Sequence, residues 1–230
     1  MENRLYTVNT SSTAGGVRNN VLRNTYNLLA LSMLPTIAGA WAGLQFNFSM
    51  LFAGSPIMGP LLMLAVMWGL IYAIQANRNS STGVVLLLGF TFVMGLMLSS
   101  TLAWTLRFSN GASLIALAAG GTSIVFFGMS VLAHTIKRDL SGMGKFLFIG
   151  TLLLLAASIA NIFLHIPALH LTIAVISCGI FSAWLLYDLN DVVKGGETSY
   201  VSATLRVYLD LYNIFTSLLQ ILGIFGGNRD

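Results

Sequence analysis

Seven long apolar runs, each closed by a short polar break, limit what this chain can fold into. They cover residues 25–45, 52–75, 82–105, 111–133, 146–165, 167–188 and 200–224. Each has the roughly 18 to 25 residues that a helix needs to cross about 30 Å of hydrocarbon. The breaks carry turn chemistry: Asn77 to Thr82, Asn110-Gly111, the charged run Lys137-Arg138-Asp139 with Ser141-Gly142, and Gly195-Gly196. Pro167 opens the sixth run, where a missing backbone donor costs little. Such runs must be helical, because a backbone group left unpaired in lipid costs several kcal/mol. Composition agrees. Only 8% of the 230 residues are charged, against roughly 25% in a soluble domain. The 11 basic and 7 acidic side chains cannot cover a globular surface of this size, and the mean hydropathy is +0.83. A soluble enzyme, a disordered tail and a disulfide scaffold are excluded, the last because Cys178 has no partner in the chain. The reading is an all-α polytopic membrane protein with seven transmembrane helices.

Residues 1–23 form a polar tail with neither the apolar core nor the cleavage site of a signal peptide, so none of it is expected to be removed. The transmembrane domain follows over 24–226, and 227–230 form a short C-terminal tail. Lys and Arg count the orientation. The tail and the second, fourth and sixth loops hold Arg4, Arg18, Arg23, Arg78, Lys137, Arg138, Lys145 and Lys194, whereas the opposite side holds Arg107 and Arg229. That bias predicts a cytoplasmic N-terminus and an outer C-terminus. It also accounts for the pI near 9.5 without nucleic acid, since the basic residues are dispersed and form no groove. Trp41, Trp68, Trp104 and Trp184 are expected at span ends, as an aromatic belt. Gly39 and Gly43 in the first span, and Gly120-Gly121 and Gly128 in the fourth, are read as sites of close helix approach. Pro35 is expected to kink the first helix, and the ten methionines are read as packing residues.

Ionisable groups inside a span are costly and therefore functional candidates. Three stand out: Asp188 at the end of the sixth run, and Arg206 and Asp210 in the seventh. The two runs form an antiparallel hairpin through Gly195-Gly196. A turn near position 199 puts the aspartates at equal depth, eleven residues from it on either side. A turn nearer Gly196 puts Asp210 about one helical turn deeper. Either way the carboxyl groups can meet. Two carboxylates facing each other away from water hold one shared proton, and its loss creates repulsion together with a hard oxygen site for Ca²⁺. Arg206, one turn before Asp210 on the same stripe, is a possible tuning partner. Asn213, three residues beyond, is another. The structural alternative keeps Arg206 and Asp210 as a self-neutralising pair within one helix, with Asp188 and Asp191 facing water. Asp191, Lys194 and Glu197 read as ordinary loop charges.

Other chemistry finds little support. His165 and His170 flank a turn without further ligands, and His134 caps the fourth helix toward water. No lysine follows Lys194 to carry a retinal Schiff base, and no G-x-S-x-G supports a serine nucleophile. Tyr187-Asp188 has the look of half an intramembrane aspartyl protease signature, but Tyr208-Leu209-Asp210-Leu211 lacks the glycines of the other half. No enzymatic activity and no cofactor beyond a possible Ca²⁺ are expected.

Tyr187-Asp188 and the run Tyr208-Leu209-Asp210-Leu211-Tyr212-Asn213-Ile214-Phe215 resemble the most typical motifs of the Bax inhibitor family, the transmembrane Bax inhibitor motif proteins. The likeness covers almost the whole chain. Val21-Leu22-Arg23-Asn24-Thr25-Tyr26, Ala160-Asn161-Ile162-Phe163-Leu164, Pro167-Ala168-Leu169-His170-Leu171 and Gly195-Gly196-Glu197-Thr198 point to a bacterial branch that modulates the membrane protease FtsH. The resemblance implies a bacterial inner-membrane protein with six helices around a central seventh. It also implies that Asp188 and Asp210 match the pH-sensing pair that gates Ca²⁺ in ion-leak members. Those members carry an arginine on the second helix that engages the pair, whereas residues 52–75 here hold no charge. Arg206 is the available substitute.

Overall fold

Each apolar run becomes one helix. The computed structural model describes residues 8–46, 48, 58–136, 140 and 142–227. Arg4, Lys137, Arg138 and Arg229, which enter the orientation count, lie outside the described residues, as do 1–7 and 228–230 of the two tails. The helices are α1 (Val8–Gln45), α2 (Met58–Ala76), α3 (Ser81–Thr105), α4 (Gly111–Thr135), α5 (Met143–Leu164), α6 (Pro167–Lys194) and α7 (Tyr200–Gly226). No strand occurs among the described residues. Six helices are long and apolar enough to cross a membrane, α1 through its portion Asn19–Gln45. The apolar part of α2, Leu61–Ala76, is shorter, and 52–57 of its expected span lie outside the described residues.

Two helices outrun their apolar runs. α1 starts at Val8, inside the polar tail, and passes Pro35 without interruption. At 38 residues it is about 57 Å long, nearly twice the thickness of a hydrocarbon core. α6 continues six residues past Asp188 to Lys194.

α1 and α3 form the most extensive interface, and glycine sets its spacing. A Cβ on Gly39 would strike the Phe92 carbonyl, one on Gly43 the Ser99 hydroxyl, and one on Gly95 the Thr36 carbonyl. Small residues let backbones approach where lipid supplies no hydrophobic drive for association. The same expectation fails for Gly120 and Gly128, which have nothing within 4 Å and face outward on α4.

α7 packs against α1, α2, α3, α4 and α6, while α5 packs on α6. Val201, Leu205, Val207, Tyr208, Ile214 and Leu219 of α7 are buried almost completely. Polar bonds stitch α7 to its neighbours: Tyr208 Oη to the Thr36 hydroxyl of α1 (2.9 Å) and Ser202 Oγ to Gln75 Oε1 of α2 (2.8 Å). On the outside, Ile124, Phe127 and Val131 of α4 and Phe146, Leu153 and Phe163 of α5 are largely exposed. A continuous apolar exterior of this kind marks a membrane-facing surface. Trp41 and Trp68 belong to it, but Trp184 does not, because its indole N–H donates to Thr151 Oγ1 of α5 at 2.9 Å.

Candidate functional site

The site is built on the α6–α7 turn. Gly195 ends α6 in the left-handed region (φ 81°), where a glycine carries no Cβ penalty, and the Gly196 N–H donates back to the Asp191 carbonyl at 2.9 Å. Ser199 caps α7: its Oγ accepts from the Ser202 N–H at 3.3 Å and donates to the Arg78 carbonyl at 2.8 Å. The second of these bonds docks the turn on the α2–α3 connection. Asp188 therefore lies six residues inside the end of α6, and Asp210 ten residues inside the start of α7. The difference places Asp210 deeper by about 6 Å, one helical turn, as a turn near Gly196 requires.

Both aspartates are buried, with 6% and 5% of their surface exposed. Their carboxyl groups lie close enough to act on each other. Two carboxyl groups in such contact can hydrogen-bond only when one of them carries a proton. Asp210 Oδ2 is fully enclosed and meets no donor among the described residues. Such an oxygen in an apolar interior is a costly feature that calls for a functional account.

Arg206 is the hub between this pair and the turn. One amino group of its guanidinium lies 3.5 Å from Asp188 Oδ1 and 3.1 Å from Asp191 Oδ2, and the other pairs with Glu197 Oε2. Its ion partners are thus on α6 and the turn, and no ion pair with Asp210 of its own helix occurs among the described residues. Glu197, read above as an ordinary loop charge, is 5% exposed. Its Oε1 accepts from the Thr198 and Ser199 N–H groups, both at 2.9 Å, at the positive end of α7. Asp191 likewise belongs to the cluster. The signal for both was Arg206 itself, since a guanidinium in a span needs anions, and the turn just ahead of α7 supplies them.

Asn213 is not brought to the pair. Its amide donates to the Leu209 carbonyl at 2.8 Å, and its side chain lines a cavity of about 470 Å³ between α5, α6 and α7. His170 lines the same cavity, His165 ends α5 with φ 52°, and His134 Nδ1 lies 2.7 Å from the Ser130 carbonyl. Among the described residues no three His, Cys, Asp or Glu side chains converge as a ready metal cage.

An all-helical chain with six apolar helices of spanning length, a lipid-compatible exterior and acids enclosed between two of those helices is a multi-pass membrane protein. It belongs to the Bax inhibitor family, whose model, described as inhibitor of apoptosis-promoting Bax1, matches residues 18–227. An uncharacterized protein of Neisseria meningitidis is 42% identical over 219 residues, covering 94% of each chain. An uncharacterized membrane protein of Vibrio cholerae is 38% identical, over 91% of this chain and 92% of its own. The Escherichia coli protein named modulator of FtsH protease YccA is 39% identical, over 88% of this chain and 89% of its own.

Proposed function

We propose that this chain is a non-enzymatic inner-membrane protein whose Asp188–Asp210 pair holds one proton and, on losing it, admits a slow leak of Ca²⁺. The supporting observation is the meeting of two buried carboxyl groups on neighbouring helices, one with an enclosed oxygen that no donor among the described residues satisfies. When the proton leaves, two negative charges lie side by side away from water and push α6 and α7 apart. The same charges offer the hard oxygens that Ca²⁺ prefers. Arg206 sets how readily this happens, by occupying Asp188 from α7 in the place of the second-helix arginine of ion-leak members. The wider reading has seven spans, six of them around α7, with the N-terminus in the cytoplasm and the C-terminus outside. The packing of α7 against α1, α2, α3, α4 and α6 supports its central place. Ca²⁺ flux into proteoliposomes tests the proposal. Flux rises as the pH is raised from about 6 to about 8, and both Asp188→Asn and Asp210→Asn abolish that rise. An unchanged pH profile in the two variants removes the leak.

A second reading, compatible with the first, is a modulator that binds and restrains FtsH. It is supported by the 39% identity to the relative bearing that name. Co-purification of FtsH from native membranes, and slower turnover of its membrane substrates when this chain is overproduced, are the expected results. Absence of both at normal protein levels refutes it.

A further inference from the structure

The polar residues of α7 do not stop at Asp210. Asn213, Ser217 and Gln220 follow at intervals of three and four, on one face of the helix. They form one wall of the cavity between α5, α6 and α7, and Ser158 and Asn161 of α5 with His170 of α6 form the facing wall. Asn161 and His170 lie at the α5–α6 connection, the end of the bundle opposite the α6–α7 turn. The cavity thus begins at that end and descends to Asn213, which is three residues, about 4.5 Å of helix rise, from Asp210.

Its groups have few partners in the protein. Gln220, Ser217 and Ser177 make no hydrogen bond to the described residues, although Ser217 is only 5% exposed. The Asn213 carboxamide oxygen is likewise left without a donor, since the amide nitrogen is the atom bound to Leu209. An amide and hydroxyls at membrane depth carry a penalty of several kcal/mol unless something satisfies them. Volume is the second consideration. At about 470 Å³, with polar groups on two walls, the cavity has room for several waters, each able to find the two to four partners it needs. A dry cavity would be lined by apolar side chains, as the larger crevice between α1, α4 and α7 largely is.

We infer that this cavity is a water-filled entrance, open at the α5–α6 end, through which water and hydrated cations come within one helical turn of Asp210. Its oxygens suit a cation that keeps part of its hydration shell, because neutral carboxamides and hydroxyls replace single waters without binding tightly. The entrance rests on the proposed leak only for what it feeds, and its hydration can be measured without any flux.

The experiment uses the full chain in proteoliposomes, with Cys178→Ala removing the native thiol. Ser158→Cys and Ser217→Cys are near-isosteric changes on facing walls, and Leu153→Cys on the apolar face of α5 is the lipid-exposed reference. A charged, membrane-impermeant methanethiosulfonate is added from the C-terminal side. Both serine positions are expected to react at least tenfold faster than Leu153→Cys, and modification of Ser217→Cys is expected to block Ca²⁺ flux. Labelling no faster than the reference at both positions overturns the entrance. Fast labelling that leaves an existing flux untouched overturns it as the cation route. Fast labelling in a protein that shows no flux at any pH supports the hydrated entrance and sinks the leak instead.

Discussion

The α1–α3 and α6–α7 interfaces are the two most extensive in the molecule, and they are built on opposite principles. Between α1 and α3, Gly39, Gly43 and Gly95 bring backbone against backbone, and the hydroxyls of Ser32, Thr36 and Ser99 bond to carbonyls of their own helices. Nothing there titrates. Between α6 and α7, one guanidinium meets three carboxylates and a fourth waits one turn deeper. The first contact has a single geometry fixed by van der Waals distance. The second carries buried charge, and under the proposed function its geometry depends on how many protons it holds. On that reading, a protein that must keep its shape while one seam responds to pH is served by this division.

Breaking the rigid seam gives the largest effect. Gly95→Val places side-chain carbons where the Thr36 carbonyl lies, so α1 and α3 must separate along their length. The expected loss is about 3 kcal/mol, at the upper end of overpacking costs. Thermal unfolding in detergent reads it, and the loss is the same at about pH 5 and about pH 8 because no ionisable group is involved. A loss that changes with pH would mean that the two seams are coupled.

The rigid seam was also the more legible of the two. Gly39 and Gly43 announce close approach by spacing alone, and the helix limits of 82–105 and 111–133 fall within two residues of the observed Ser81–Thr105 and Gly111–Thr135. Asn77, Asn79, Asn110 and Gly111 punctuate the connections on either side of α3. Where a helix outruns its apolar run, that guide weakens: 8–24 of α1 and 189–194 of α6 mix apolar residues with polar and charged ones, although Val21, Leu189 and Val192 join the core. The responsive seam was legible in part. Asp188, Arg206 and Asp210 stand out because charge is costly in lipid, whereas Glu197 in a Gly-Gly turn looks solvated until Arg206 is known to reach it. Gly120 and Gly128 show the converse failure, since small residues on a helix do not say which face meets a neighbour.

Removing the hub of the responsive seam ranks second. Arg206→Gln leaves Glu197 and Asp188 buried without their cation. Breaking a fully buried pair costs about 3–5 kcal/mol, and the guanidinium here is 37% exposed, so about 2 kcal/mol is expected near neutral pH. The sign of the pH dependence follows from which form needs Arg206. Ionised carboxylates lose their counterion in the variant, while protonated ones never required it. The variant therefore approaches the wild-type stability as pH falls, and the gap widens as pH rises. A gap independent of pH would show that Arg206 acts through packing of its stem, and would move the responsive seam away from Glu197 and Asp188.

The smallest effect on stability belongs to the residue placed at the centre of the function. Asp210→Asn exchanges a carboxyl group for an amide of nearly the same shape. The amide N–H₂ can donate to Asp188 in place of the shared proton, and no protein donor is orphaned, because Asp210 Oδ2 had none. Stability should change by less than about 0.5 kcal/mol, far less than in Arg206→Gln. Only Asp188 is then left to ionise, however, so two negative charges can no longer face each other. Melting temperature near the wild type, together with a Ca²⁺ flux that no longer responds to pH, separates the switch from the scaffold. If Asp210→Asn instead unfolds the protein as severely as Gly95→Val, the deep carboxyl group is a structural strut, and the contrast between a fixed seam and a responsive one fails.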